Sequence, residues 1–178
     1  MSVNTVRNIA RESAASEPRR VAVLSPELAN QIAAGEVVER PSSVVKELVE
    51  NSLDAGARRV EVTIENGGRD LLRIEDDGCG MRRDDALRAL ERHATSKISG
   101  VDDLFRIASL GFRGEAVPSI GSVSRMEIRT KPRGDISGTR ILVEGGVVKE
   151  LDDVGMAAGT VFTVEKLFFN TPARLKFL

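Results

Sequence analysis

The sequence predicts an α+β fold, a two-layer sandwich with helices packed on one face of a mixed, largely antiparallel sheet. Three observations carry that reading. Apolar residues recur at helical spacing early, between residues 25 and 57 and again near residue 86. Alternating runs gather late, from residue 124 onward, mostly at hairpin-like separations. With helices early, antiparallel strands late and no internal repeat, the helices collect on one side of the sheet.

Residues 1–20, "MSVNTVRNIARESAASEPRR", hold few large apolar residues. They read as a mobile extension, a solvated tail in preference to a nucleic-acid contact through Arg7, Arg11, Arg19 and Arg20. Residues 21–178 read as one domain. "LSPELANQIAAG" offers Ser25 as N-cap, Pro26 at the first helical position and Gly35 as a stop. "RPSSVVKELVENSLDAGA" starts a second helix near Pro41 and ends it at Gly56. "RRVEVTIENGG" alternates Val60, Val62 and Ile64, a half-buried strand before a turn, and "RDLLRIEDDGCGM" is a second strand running into glycines. "RRDDALRALERHA" is a short helix with Ala86, Leu87, Ala89 and Leu90 as its apolar positions. "SLGFRGEAVPSIGSVS" is glycine-punctuated, with a short helix around Glu115 to Ile120. The strands "SRMEIRT", "GTRILVEGG", "VVKELDD" and "GTVFTVEKLF" follow.

Composition excludes several classes. A formal charge of -1, from 26 basic and 27 acidic residues, argues against a domain built around one large basic nucleic-acid surface. The single cysteine, Cys79, rules out an internal disulfide and suits a reducing cytoplasm. It has no partner cysteine for a zinc site and reads as a small residue filling a turn. No apolar run approaches the roughly 18 residues of a membrane span, and no secretory signal opens the chain. His93 is the only histidine, so a Ser-His-Asp arrangement would have to use it; in "RHATSK" it reads as a loop or lid residue.

Three stretches carry chemistry. On the second helix Glu47, Glu50, Asn51 and Asp54 fall within an arc of about 100°, with no lysine or arginine between them. Val45, Leu48, Val49 and Leu53 occupy much of the remaining surface. A solvated face is the plain alternative, but such faces usually interleave both signs at i,i+4; an uncompensated stripe of hard oxygens suits a cation such as Mg²⁺. In "EDDGCGM", Gly78 and Gly80 let the backbone turn where a Cβ would obstruct a flat ligand. Asp76 at the strand's end can then accept a hydrogen bond from an exocyclic amine, which adenine offers and guanine replaces with a carbonyl. Alone, this is also the pattern of an ordinary β-turn. In "SLGFRGEA", Gly111 and Gly114 flank Phe112 and Arg113 ahead of Glu115 and a helix; such a loop can present N–H groups to phosphates, or be simply a flexible loop. It lacks the Gly-Lys-Ser/Thr ending of a Walker loop.

Together "ELVENSLDAGA", "DDGCGM", "RHATSK", "SLGFRGEA" and "FFNTPARLKFL" resemble the mismatch-repair (MutL) branch of the gyrase–Hsp90–histidine kinase–MutL ATPase superfamily. The resemblance runs from "LANQIAAGEVVERP" to Leu178 and leaves out the first 20 residues. It implies a Bergerat-type ATP-binding fold and an ATPase. Glu47 matches the family's general base, which activates the water attacking the γ-phosphate. Asn51 matches the Mg²⁺ ligand. Asp76 matches the adenine-reading carboxylate, helped by Thr160 through ordered water, and Gly78 and Gly80 the turn beneath the base. The segment Gly111, Phe112, Arg113, Gly114, Glu115 matches the lid over the phosphates, and Lys97 a residue of the mobile stretch beside it. Glu50 and Asp54 receive supporting duties at most.

Two departures stand out. Asp77 occupies a place where the family often has Asn, adding negative charge near the base; Pro118 replaces a small residue in the helix after the lid. The resemblance further implies that the chain is a fragment, without the family's second subdomain, which supplies a lysine to the γ-phosphate, and without its C-terminal dimerisation domain. Alone it is expected to be weakly active or inactive. The implied function is ATP binding with slow Mg²⁺-dependent hydrolysis, driving lid ordering and dimerisation in DNA mismatch repair. Implied partners are ATP, a second copy of the full-length chain, mismatch-recognition and downstream repair proteins, and DNA, with no membrane. The implied location is cytoplasmic, at the nucleoid during repair. The alternatives are a nucleotide-gated clamp, in which binding rather than turnover is the signal, or another ATPase module of the superfamily such as a histidine-kinase or gyrase type; "GFRGEA" argues against the latter.

Overall fold

The computed structural model describes residues 22–92, 94 and 114–178. Four helices pack on one face of a sheet: α1 (Pro26–Val37), α2 (Pro41–Asp54), α3 (Arg83–Arg88) and α4 (Ala116–Ser122). The strands are β1 (Val60–Glu65), β2 (Leu71–Asp76), β3 (Arg125–Lys131), β4 (Gly138–Glu144), β5 (Val147–Val154) and β6 (Gly159–Glu165), and a last turn of helix, α5, covers Pro172–Leu175. The order across the six-stranded sheet is β1-β2-β6-β3-β4-β5. Every pairing is antiparallel, so the sheet is not mixed.

Local chemistry explains the hairpins. β4 and β5 are joined by Gly145 and Gly146, both at positive φ (58° and 85°), as a two-residue turn matched to strand twist demands. β5 and β6 are close in sequence yet do not pair. Residues 155–158 carry the chain across the ends of β4 and β3, past Gly138, where a Cβ would lie 2.9 Å from Met156 Cγ. Lys131 Nζ pins this crossing by donating to the Met156 carbonyl at 3.1 Å.

Registry places the inward side chains of four strands in rows. Leu72, Val164, Met126 and Val143 form one row, and Ile74, Phe162, Ile128 and Ile141 the next. All eight are buried, and Val44, Leu48, Val38, Ala34 and Ile120 of the helices close over them. Burying a side chain of this size contributes about 1.5–3 kcal/mol. The third row, Asp76, Thr160, Thr130 and Thr139, is polar and still buried. The apolar layer ends there, and the site begins.

The opposite face of the sheet is open and charged. Arg140 joins Glu127 (2.6 Å), Glu150 (2.7 Å) and Asp152 (3.2 Å) across three strands, and Arg129 pairs with Glu127 at 2.6 Å. Hydrogen bonds donated to Glu150 and Glu127 hold the Arg140 guanidinium above its ordinary range.

Several expectations are revised by packing. α1 does not stop at Gly35; the Val38 N–H still bonds the Ala34 carbonyl at 2.7 Å. The buried stripe of α2 is Val44, Leu48 and Ser52, and Leu53 is half exposed. β1 is an edge strand, which leaves Val62 and Ile64 exposed. Pro118 stands third in α4, within the first turn, whose N–H groups lack helical partners, and the helix tolerates it.

Candidate functional site

Asp76 is the last residue of β2 and is only 7% exposed. Its two carboxylate oxygens are held separately. Oδ1 accepts from the Gly78 N–H at 2.9 Å, and Oδ2 accepts from the Ser52 hydroxyl at 2.9 Å. A carboxylate has about four acceptor positions, so two such bonds orient the group and leave capacity for a further donor. The neighbouring strands continue the polar row. Thr160 lies directly opposite Asp76, and its Oγ1 is 3.1 Å from that of Thr130. Thr130 Oγ1 also accepts from the Met81 N–H at 2.8 Å, which ties the glycine turn to β3.

The two glycines of that turn serve packing. A Cβ on Gly78 would lie 2.9 Å from both Ala55 Cβ and Asp76 Oδ1 and 3.1 Å from the Ala55 carbonyl oxygen, so it would press on the end of α2 and on the Asp76 carboxylate alike. Gly80 has φ of 69°, and its Cβ would fall 2.1 Å from the Lys131 carbonyl oxygen. Their absent side chains let α2, the β2 end and β3 approach one another. Cys79 is exposed and fills nothing; its N–H bonds the Ala55 carbonyl at 3.0 Å.

Ser52 joins this strand end to the acidic helix. Asn51 stands beside it on α2, with Glu47 one turn earlier, and both are half-buried. The acid stripe is not wholly uncompensated: Lys46 Nζ lies 3.7 Å from Glu50 at i,i+4. Among the described residues no three His, Cys, Asp or Glu side chains converge as a metal cage would require. Asn51, half-buried on α2, is the residue the resemblance assigns to Mg²⁺. Gly114 (φ 60°) and Glu115 lead into α4, with Glu115 at its N-cap position. Lys97, Gly111, Phe112, Arg113 and His93 lie outside the described residues.

The Asp77 carboxylate turns to the segment after α2. Its Oδ1 accepts from the backbone N–H groups of Arg58 (2.7 Å) and Arg59 (2.8 Å), in the turn between α2 and β1. Those two donors, Arg59 first, hold its carboxyl below the ordinary value of 3.8.

Sequence reasoning missed Ser52 and Thr130. Each has a signal. Ser52 continues the buried i,i+4 series from Val44 and Leu48, and a serine on such a stripe needs a partner. Thr130 is the last inward position after Met126 and Ile128. A hollow of about 340 Å³ lies on the open face, lined by residues including Arg73, Asp76, Glu127, Arg129 and Met156. Its arginines are already paired, Arg73 with Glu75 and Arg129 with Glu127.

Comparison with known proteins places this geometry. Residues 39–151 match the family model described as "Histidine kinase-, DNA gyrase B-, and HSP90-like ATPase". The chain is 65% identical over 161 residues to the DNA mismatch repair protein MutL of Geobacter sulfurreducens, covering 90% of this chain and 27% of that protein. It is 62% identical over 159 residues to the MutL of Geotalea daltonii, covering 89% and 27%. It thus spans about a quarter of the length of these relatives. Among solved structures it resembles the Aquifex aeolicus MutL ATPase domain complexed with ADP, with a TM-score of 0.60 and 38% identity over 80% of this chain and 48% of that one. The N-terminal domain of a DNA repair protein gives a TM-score of 0.69 at 27% identity, over 84% and 42%. The matched region contains Glu47, Asn51, Asp76 and the turn after it, and the chain belongs to the family of histidine kinase-, DNA gyrase B- and HSP90-like ATPases.

Proposed function

We propose that this chain binds ATP with Mg²⁺ at the Asp76 end of the sheet and hydrolyses it slowly, as the nucleotide switch of a mismatch-repair protein. The observation that carries the reading is the Asp76 carboxylate. It is buried, fixed through both oxygens, and set in a polar row at the edge of an apolar layer. A buried carboxylate so placed accepts a hydrogen bond from the adenine amine and meets a carbonyl if guanine is offered instead. Thr160 and Thr130 supply hydroxyls beside it for water bridging to the base.

Glu47 and Asn51 divide the phosphate end. Asn51 would hold Mg²⁺ through its amide oxygen, together with nucleotide phosphates and water, which suits a cation that takes few protein oxygens. When bound, the ion supplies charge neutralisation at the phosphates. Glu47, one helical turn away, takes the proton of the attacking water. Residues 95–116, with Lys97 and the Gly111, Phe112, Arg113, Gly114, Glu115 segment, close over the phosphates as a lid and couple nucleotide state to pairing of two full-length copies. Repair proteins and DNA are partners of that whole protein; the location is cytoplasmic, at the nucleoid during repair. No helix among the described residues is long and apolar enough to cross a membrane. Residues 1–20, read from the sequence as an extension ahead of an ATP-binding domain of residues 21–178, lie outside the described residues.

Calorimetric titration with ATP and GTP tests the base-reading step. Asp76→Ala should weaken ATP binding by about 1.5–3 kcal/mol and erode its preference over GTP. Unchanged affinities for both nucleotides would remove Asp76 from the site.

A further inference from the structure

Asp77 lies next to the base-reading carboxylate and is absent from the roles set out above. It stands where four segments meet. Its Oδ1 takes the consecutive N–H groups of Arg58 and Arg59, its own N–H reaches the Arg59 carbonyl at 3.3 Å, and its carbonyl accepts from Arg133 Nη2 at 3.2 Å. Gly159 of β6 approaches so closely that a Cβ there would be 3.1 Å from Asp77 Cα and 2.0 Å from the Asp76 carbonyl oxygen.

The consequence concerns relative placement. Asn51 and Glu47 ride on α2, whereas Asp76 rides on β2. Short contacts join one to the other at this end, among them the Ser52 hydroxyl on Asp76, the Cys79 N–H on the Ala55 carbonyl, the Asp77 N–H on the Arg59 carbonyl, and the Asp77 carboxylate on the turn after α2. A nucleotide must be gripped at its base by the strand and at its phosphates by the helix, so an error in that spacing weakens the whole ligand.

We infer that Asp77 is a positioning residue for the nucleotide site, fixing the α2–β1 turn against the β2 end so that the two halves of the site hold one ligand in register. The inference rests on the nucleotide reading above. What matters is an acceptor oxygen at one distance from the backbone, not the negative charge. Asparagine supplies that oxygen as a neutral group; glutamate keeps the charge but moves it out by a methylene.

Titration of ATP and GTP into the 178-residue chain and its Asp77→Asn, Asp77→Glu and Asp77→Ala variants tests this, alongside thermal unfolding without nucleotide. The expected result is ATP affinity for Asp77→Asn within about threefold of wild type, and a loss of roughly tenfold or more for Asp77→Glu and Asp77→Ala, on the scale of one or two hydrogen bonds. The ATP preference should fall in the same two variants while their unfolding temperatures stay near wild type. If Asp77→Ala does not fold, the Asn and Glu pair decides. Wild-type affinity in Asp77→Glu, or a loss in Asp77→Asn as large as that in Asp77→Glu, overturns the inference. So does a fall in affinity that merely follows a fall in unfolding temperature. A wild-type chain with no preference for ATP overturns the adenine reading and this inference with it.

Discussion

Ser52 has one hydroxyl proton and two acceptors in reach, the Leu48 carbonyl at 3.0 Å and Asp76 Oδ2 at 2.9 Å. A bond to a charged oxygen is the stronger claim on that proton, about 1.5–3 kcal/mol against about 0.5–1.5 for a neutral pair. Ser52→Ala should therefore lower unfolding free energy by about 1–3 kcal/mol, because a buried carboxylate oxygen loses its donor. In a double-mutant cycle with Asp76→Ala, denaturant unfolding should return a coupling above about 1 kcal/mol. Coupling near zero would assign the proton to the helix carbonyl instead. The residue scale also shows what single positions reveal in advance. The acid and two spaced glycines at the end of β2 announce a turn, and it is the family resemblance that singles out Asp76. Ser52 does not announce itself, because its importance depends on which turn of α2 faces β2, and the more apolar Leu53 beside it is the half-exposed one.

At the scale of elements, α1 shows how a local rule is overridden. Gly35 reads as a helix stop, yet the helix continues to Val37. The glycine has another purpose: a Cβ there would fall 1.6 Å from Nη2 of Arg174. That guanidinium reaches the Val38 carbonyl at 3.4 Å and sits 5.7 Å from the centre of the Phe168 ring. It places a positive charge at the negative end of α1, where such charges contribute roughly 0.3–1 kcal/mol. No local pattern could announce this contact, whose partners lie 136 positions apart. A test follows from the opposed terms. Gly→Ala inside a helix ordinarily stabilises by about 0.5–1 kcal/mol. In wild type Gly35→Ala should give no gain or a loss, since it displaces Arg174, whereas in an Arg174→Ala background the gain should return. Urea unfolding of the four proteins measures it, and an equal stabilisation in both backgrounds would show that the arginine does not need the glycine. Edge strand β1 teaches the complementary lesson. Its Val60, Val62 and Ile64 alternation correctly identified a strand, but the extent of burial depends on strand order, which alternation does not contain.

For the whole molecule, the decisive fact is that β6, last in sequence, sits between β2 and β3. That insertion brings Thr160 beside Asp76 and Thr130 beside Thr160, so residues spread over 85 positions become one row. Strand spacing suggested successive hairpins and could not reveal the insertion; the family resemblance supplied the link between Asp76 and Thr160, while Thr130 emerged only from registry. On the proposed reading the same arrangement separates binding from chemistry. The row proposed to read the base belongs to the sheet, and Glu47, the proposed general base, belongs to α2, on the far side of Asn51 from Ser52. A general base contributes typically about 10²–10⁴-fold to rate and need add nothing to ground-state affinity. Glu47→Ala should then bind ATP within a few-fold of wild type and lose hydrolysis by about 10²–10⁴-fold, in contrast to Asp76→Ala, which should lose binding first. The comparison is best made in a full-length relative of this family, where the mutant should accumulate its ATP-bound state. Calorimetric binding and single-turnover hydrolysis, read side by side, decide the matter. A Glu47 variant that loses affinity and turnover in equal proportion would make that carboxylate part of the binding frame, and the helix that carries it a scaffold for the ligand with no share in the chemistry.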